Sequence, residues 1–114
     1  MTEKKQDINE KTQQKIQEIQ ILEQNLQALL MQKQAFQLEL NEAENAFSEI
    51  KDSKEDVFKI VGQIMIKADR EKIQKDLSQK KELLSLRLNS IEKQENQFSK
   101  QLEELRKEIM KELK

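Results

Sequence analysis

The sequence contains no cysteine, histidine, proline, tryptophan or tyrosine, and it has a single glycine. Without cysteine the chain can form no disulfide and has no thiol nucleophile, which fits an intracellular protein. Without histidine it lacks the most common general base of enzymes. One glycine is too few for a phosphate-binding loop or a dinucleotide-binding fingerprint. We therefore expect a protein that is not an enzyme and that uses no cofactor.

Long apolar segments and an excess of one charge are also missing. No segment approaches the ~20 apolar residues of a membrane-spanning helix, and the amino-terminal residues MTEKKQDINEK lack the apolar core of a signal peptide. The 21 Lys and Arg residues nearly balance the 22 Asp and Glu residues, so neither nucleic acid nor a membrane is an expected partner. Carboxylates at helical spacing, such as Glu103 with Glu104, lack the oxygen-rich loop of a calcium site, and we expect no metal. These absences predict a soluble, cytoplasmic protein that works by surface contact.

Charged residues make up 38% of the chain and hydrophobic residues 35%, a mixture typical of long helices and coiled coils. Two series of residues recur at alternating steps of three and four, which is the heptad pattern of a coiled-coil seam. The first series is Ile19, Leu22, Leu26, Leu29, Lys33, Phe36, Leu40, Ala43, Phe47 and Ile50. The second is Leu77, Lys81, Leu84, Leu88, Ile91, Glu95, Phe98, Leu102, Leu105 and Ile109. They predict one helix over residues 5–52 and another over residues 70–113.

The segment between the helices, DVFKIVGQIMIKA at residues 56–68, is predicted to be a β-hairpin. Two runs rich in β-branched residues, Val57 to Val61 and Ile64 to Ala68, flank Gly62-Gln63. A glycine at the first central position is what a type II′ turn requires, because that position has a positive φ. An isolated hairpin is marginally stable at best, and its open apolar edges predict that it joins other chains. The residues assigned to this oligomerisation are Val57, Phe58, Ile60, Val61, Gly62, Ile64, Met65 and Ile66.

The two seams can be paired with each other in an antiparallel register. In that register Phe47 lies opposite Lys81 and Leu40 lies opposite Leu88. Lys33 falls opposite Glu95, which makes them a register-specifying pair of opposite charge. The centre of the register lies beside Gly62-Gln63, so the pairing and the turn agree. The fold class is therefore mainly α with a small β-hairpin: two long helices forming an antiparallel coiled coil, in a single domain over residues 1–114.

The chain resembles a β-type prefoldin subunit in three segments: MQKQAFQLELNEAENAFSEI (31–50), DVFKIVGQIMIK, and DREKIQKDL (69–77). The motif is an aromatic residue, a basic residue, a spacer with glycine, and a short aliphatic strand; here these are Phe58, Lys59, Gly62 and Ile64-Met65-Ile66. Phe58 stands where many members have tyrosine, which changes little on a strand. The chain has one hairpin, whereas the α-type subunits have two.

The resemblance implies a hexamer, in archaea of two α-type and four β-type subunits, whose hairpins merge into β-barrels. It implies a chaperone whose coiled coils hang from those barrels and capture unfolded polypeptides without nucleotide. The partners that it implies are α-type subunits, further β copies, unfolded clients and a group II chaperonin.

Several apolar residues fall outside the seams. Those near the free ends of the helices, expected to be client-binding tips, are Ile8, Ile16, Ile21, Met110 and Leu113. The alternative is that Ile8, Ile16 and Leu113 extend the seam in a slipped register, or are scattered surface residues. A second group comprises Leu30, Met31, Leu38, Leu83 and Leu86. Of these, Leu38, Leu83 and Leu86 are assigned to packing against neighbouring subunits or the base of the barrel that the resemblance implies; the alternative is incidental exposure.

Two other functions are compatible with parts of the pattern. A structural tether or adaptor would be a stable dimer with no activity toward unfolded proteins. A coiled-coil arm like that of a seryl-tRNA synthetase is disfavoured, because the chain has no basic arm face and has hairpin strands.

Overall fold

The computed structural model describes the backbone of residues 2–113 and the side chains of residues 10–113. Helix α1 spans Thr2–Asp52, strand β1 Val57–Val61, strand β2 Ile64–Ala68 and helix α2 Arg70–Leu113. The predicted helix-hairpin-helix fold is confirmed, and both strands coincide with the predicted apolar runs. Helix α1 begins at Thr2 and not at residue 5. The assignment of residues 1–114 to a single domain stays a prediction.

The two helices end at the hairpin through local hydrogen bonds. At the end of α1 the Ser53 amide donates to the Glu49 carbonyl at 2.9 Å, and the Ser53 hydroxyl accepts from the Glu55 amide at 3.1 Å. At the start of α2 the Asp69 carboxylate accepts from the Glu71 amide at 3.3 Å, which satisfies one of the amides that a helix N-terminus leaves unpaired. Asp69 is therefore the N-cap of helix α2.

The hairpin is antiparallel, with Val57 opposite Ala68 and Val61 opposite Ile64. Gly62 has a φ of 61°, and no other residue in the described part of the chain has a positive φ. A type I′ turn would need positive φ at both central residues, whereas a type II′ turn needs it only at the first. The turn is therefore of type II′, as the position of Gly62 predicts.

The chain divides into two compact units. The hairpin unit, residues 33–89, contains the end of α1, both strands and the beginning of α2. Its core is formed by Leu40, Leu84 and Leu88, with Phe36 packed against them. Lys81 Nζ lies 4.7 Å from the centre of the Phe47 ring, which confirms that predicted alignment.

The terminal unit comprises the described residues up to Gln32 and from Ser90 onward. Its buried apolar residues are Leu29, Ile91 and Leu102. Glu23 Oε1 lies 3.1 Å from Arg106 Nη2, and Lys15, nearer the start of α1, contacts Glu112, nearer the end of α2. The helix segments of this unit therefore run antiparallel. Within each unit all the predicted seam residues are buried or half-buried, which is the burial expected of a coiled-coil seam. Lys33 and Glu95 belong to different units, and their pairing stays a prediction.

Candidate interaction surfaces

The hairpin carries a set of exposed apolar side chains, which we call the hairpin surface: Phe58, Ile60, Val61, Ile64, Met65 and Ile66. Residues paired across an antiparallel sheet project to the same face, and successive residues alternate. Ile60 and Met65 therefore share one face with Phe58, while Val61, Ile64 and Ile66 lie on the other. Apolar side chains predominate on both faces, with Lys67 on the first face and Lys59 on the second, and these apolar side chains are exposed within the hairpin unit. Contact with other chains would remove this apolar area from water.

Arg70 links the start of α2 to the end of α1 and to the segment between α1 and β1. Its guanidinium donates hydrogen bonds to the carbonyl oxygens of Ile50, Ser53 and Glu55. The last carbonyls of a helix have no partner within the helix, and the negative end of the helix dipole favours a cation there. Arg70 therefore caps α1 from the first residue of α2 and fixes the segment that leads into β1.

A polar cluster forms the outermost described contact between the helices of the terminal unit. The Thr12 hydroxyl donates to Glu112 at 2.9 Å, and Lys15 donates to the same carboxylate. Lys15 Nζ also lies 3.4 Å from Glu108. These hydrogen bonds from Lys15 and Thr12 hold the pKa of Glu112 below its ordinary value of 4.5, and the hydrogen bond to Glu112 raises the pKa of Lys15 above 10.5. The cluster stabilises the charged forms of both side chains.

The residues of this cluster continue the seam beyond Ile19 on α1 and beyond Ile109 on α2. The seam passes through Thr12, Lys15 and Glu112, all of which are buried or half-buried. Ile16 and Leu113 are exposed. The alternative that Ile16 and Leu113 extend the seam in a slipped register is therefore wrong, because polar residues occupy those positions.

The structure places the other predicted tip residues on different surfaces. Ile21 and Met110 are both exposed, but they line separate grooves. Ile16 and Leu113 line neither of the two. The side chain of Ile8 lies outside the described residues. The tip residues therefore do not form one continuous patch, and their role in client binding stays a prediction.

The larger groove, which we call the mixed-charge groove, has a volume of about 820 Å³. Its apolar residues are Leu26, Leu102 and Met110, and its charged residues are Glu23, Glu103, Arg106, Lys107 and Lys111. Two ion pairs lie on its rim: Arg106 with Glu23 at 3.1 Å and Lys107 with Glu103 at 3.5 Å. Much of its charge is thus neutralised locally.

The smaller groove, which we call the acidic groove, has a volume of about 380 Å³. It is lined by Ile21, Leu22 and Leu105 together with Glu18, Gln101, Glu104 and Glu108. No lysine or arginine contributes to the lining. Both grooves lie within the terminal unit.

The second off-seam group is exposed as a whole: Leu30, Met31, Leu38, Leu83 and Leu86. Their exposure leaves them available for contacts with other chains, but the assignment of Leu38, Leu83 and Leu86 to subunit packing stays a prediction. Within residues 10–113, no group of three or more acidic side chains is arranged to hold a metal ion. No helix in the described part of the chain is long and apolar enough to cross a membrane.

Neither the role of Arg70 nor the cluster of Thr12, Lys15 and Glu112 is among the features predicted from the sequence. A signal for the cluster was present, since steps of four and three back from Ile19 reach Lys15 and Thr12. A step of three forward from Ile109 reaches Glu112. Arg70 carried no such signal, because its partners are backbone carbonyls, which no sequence pattern marks.

Comparison with known proteins agrees with this fold. The family described as prefoldin subunit matches residues 13–114. The chain is 40% identical over 89 residues to prefoldin subunit beta of Thermococcus onnurineus (strain NA1), covering 76% of this chain and 77% of that protein. It is 37% identical over 99 residues to prefoldin subunit beta of Thermococcus kodakarensis, covering 85% of each. The crystal structure of the prefoldin beta subunit from Thermococcus strain KS-1 superposes with a TM-score of 0.81 at 35% identity, covering 89% of this chain and 90% of that one.

Proposed function

Since the chain belongs to the prefoldin family of chaperones, we propose that it is the β-type subunit of a hexameric holdase. In this assembly the hairpins join α-type and β-type subunits. The terminal units bind unfolded polypeptides without ATP, and the client then passes to a group II chaperonin. The observation that carries the proposal is the hairpin surface, which exposes three apolar side chains on each face.

The hairpin surface supports assembly for two physical reasons. A two-stranded sheet leaves unpaired N–H and C=O groups along both edges, which can pair with strands of other chains. Its exposed apolar side chains, among them Ile60 at 69% and Met65 at 66% exposure, would lose contact with water in such an assembly. Edge pairing and face burial together favour a closed multi-strand structure over a simple dimer.

The mass of the complex with an α-type subunit tests the assembly. We expect light scattering to give a hexamer-sized species on mixing, and Ile60→Lys to abolish it, because a charge would be buried at the new interface. Lys59→Gln, on the adjacent position of the same strand, is the matched control and should still assemble. A stable stand-alone dimer that ignores the α-type subunit would instead favour the tether function.

The terminal unit supports client binding through its exposed aliphatic and methionine side chains. Ile16, Met110 and Leu113 are exposed there, and methionine adapts its shape to irregular apolar surfaces. One such unit offers only weak contact. Several units in one assembly would bind one client with a much higher effective affinity.

Truncation and a matched pair of substitutions test this part. Removal of residues 1–16 and 106–114 should leave the hexamer intact and abolish the suppression of client aggregation. Met110→Gln, at a predicted tip residue, should weaken suppression; Met31→Gln, in the same unit and at a similar exposure (66% against 60%) but outside the predicted tip residues, should weaken it less. Full protection by the truncated assembly would refute the assignment of client binding to the terminal unit.

Transfer is tested with a labelled client. Capture should proceed without ATP, and addition of a group II chaperonin should move the label to the chaperonin. A label that stays with the assembly would refute the transfer step.

A further inference from the structure

The terminal unit has two grooves whose charges differ. Neighbouring residues of α2 line different grooves: Glu103 the mixed-charge groove and Glu104 the acidic groove. On α1, Glu23 lines the mixed-charge groove and its neighbour Leu22 lines the acidic groove. Since neighbouring helix residues project about 100° apart, the grooves lie on different sides of the helix pair. One unit therefore offers two chemically distinct surfaces to a client.

The acidic groove combines an apolar floor with carboxylates that are not neutralised locally. Glu108 is 3.4 Å from Lys15. Glu18 and Glu104 form no ion pair with any residue whose side chain the structure describes, so two negative charges remain beside Ile21, Leu22 and Leu105. The mixed-charge groove differs, because Glu23 and Glu103 each have a cationic partner on its rim.

We propose that the acidic groove binds segments of unfolded chains in which an apolar side chain is flanked by lysine or arginine. This inference rests on the client binding proposed above and adds a substrate class to it. The apolar side chain covers Ile21, Leu22 and Leu105, and the flanking cations approach Glu18 and Glu104. The volume of about 380 Å³ accommodates a short segment of this kind. A segment with flanking carboxylates is disfavoured at this groove, because like charges would face each other.

At an exposed site, charge complementarity contributes more to the selectivity between peptide segments than to the affinity for any one of them. Each exposed charge pair changes binding by a few-fold at most, and salt weakens it. The apolar floor supplies the common part of the binding. The carboxylates then distinguish basic from acidic segments that have the same apolar content.

The test uses the full-length chain in its assembled form and two fluorescent peptides of equal length and equal apolar content. One peptide carries lysines beside its apolar residue and the other carries glutamates. Fluorescence anisotropy at low salt should show tighter binding of the lysine peptide. The double substitution Glu18→Gln with Glu104→Gln should weaken that binding by about three- to tenfold and leave the glutamate peptide no weaker.

Glu103→Gln is the matched control, because it removes the same charge from the neighbouring residue of the same helix. It should leave the preference for the lysine peptide unchanged. A photoreactive residue introduced at Gln101, which lines the acidic groove, should crosslink to the lysine peptide more efficiently than one introduced at Ser99, which lines the mixed-charge groove.

The outcomes separate this inference from the proposed function. Equal binding of both peptides, or a double variant without effect, overturns the inference; continued suppression of client aggregation would then leave the proposed function standing. If neither peptide binds and aggregation of the client is not suppressed, both the inference and the proposed function are refuted. Preferential binding of the lysine peptide that depends on Glu18 and Glu104 supports the inference.

Discussion

The hairpin unit and the terminal unit both pack α1 against α2, but different side chains hold them together. The hairpin unit has an aliphatic core of Leu40, Leu84 and Leu88. The terminal unit also buries leucine and isoleucine, yet its outermost described contact is the polar cluster around Glu112. Burial of apolar side chains contributes more free energy than exposed ion pairs do. We therefore expect the hairpin unit to open less readily than the outer part of the terminal unit, where half-buried hydrogen bonds from Thr12 and Lys15 to Glu112 take the place of apolar contacts.

The largest expected effect is in the hairpin core. Leu84 is 2% exposed, and Leu84→Ala should lower the free energy of unfolding by about 2–5 kcal/mol, because it removes buried apolar contacts and leaves a cavity. Chemical denaturation at constant protein concentration measures this. Leu83→Ala, at a neighbouring residue that is 49% exposed, is the control and should change stability by less than about 1 kcal/mol.

Leu102→Ala sharpens the comparison between the units. Leu102 is buried in the terminal unit but borders the mixed-charge groove, where side chains and water can fill the space. The decrease in the free energy of unfolding should therefore be smaller for Leu102→Ala than for Leu84→Ala. An equal or larger loss would contradict the view that the terminal unit is the weaker of the two.

The second effect concerns the cap of α1. Arg70→Gln should lower the free energy of unfolding by about 1–3 kcal/mol, because three carbonyl oxygens lose a charged donor. Hydrogen exchange should also become faster around residues 52–56. Lys72→Gln, which removes the same charge from an exposed position in the first turns of α2, should have little effect. Similar exchange in both variants would show that Arg70 acts only as a surface charge.

The third effect is at the turn. An alanine at residue 62 would meet no atom within 4 Å, so its cost comes from the backbone alone. Because φ is 61° there, Gly62→Ala should lower stability by about 1–2 kcal/mol. Hydrogen exchange of the strand amides is the measurement, and Gln63→Ala is the control. Unchanged exchange in Gly62→Ala would mean that the turn adopts another conformation.

The smallest effect is the pH dependence of the polar cluster. The pKa of Glu112 is lowered in the folded chain, so its stabilisation is present above pH 4.5 and is lost as the pH falls through the folded value. The pKa of Lys15 is raised, so its contribution is present below pH 10.5 and is lost as the pH rises through the folded value. The protection of amides near residues 12 and 112, measured as the exchange rate relative to the intrinsic rate at each pH, should therefore fall in acid.

The control for this prediction is Glu112→Gln, which should remove most of the acid dependence at the chain ends and leave exchange near Leu84 unchanged. Equal acid sensitivity in both units would contradict the contrast between them.

Residue spacing alone is enough to predict the helices, the strands and the pairing of the strands within the hairpin. Heptad spacing requires two helices, because only a helix brings residues three and four apart onto one face. A single glycine between two β-branched runs requires a type II′ hairpin, since positive φ is strongly disfavoured for other residues. The alignment of Phe47 with Lys81 followed from the same spacing, and the structure confirms it.

The cap of α1, the course of the seam beyond Ile19 and Ile109, and the distribution of exposed residues between the two grooves depend on tertiary contacts. Arg70 binds backbone carbonyls, which leave no trace in a residue pattern. Thr12, Lys15 and Glu112 occupy seam positions although they are polar, because they satisfy one another across the two helices. Ile21 and Met110, which the sequence places together as tip residues, line separate grooves. Periodicity fixes which side of a helix faces its partner, whereas the chemistry of the other sides depends on which residues the partner brings beside them.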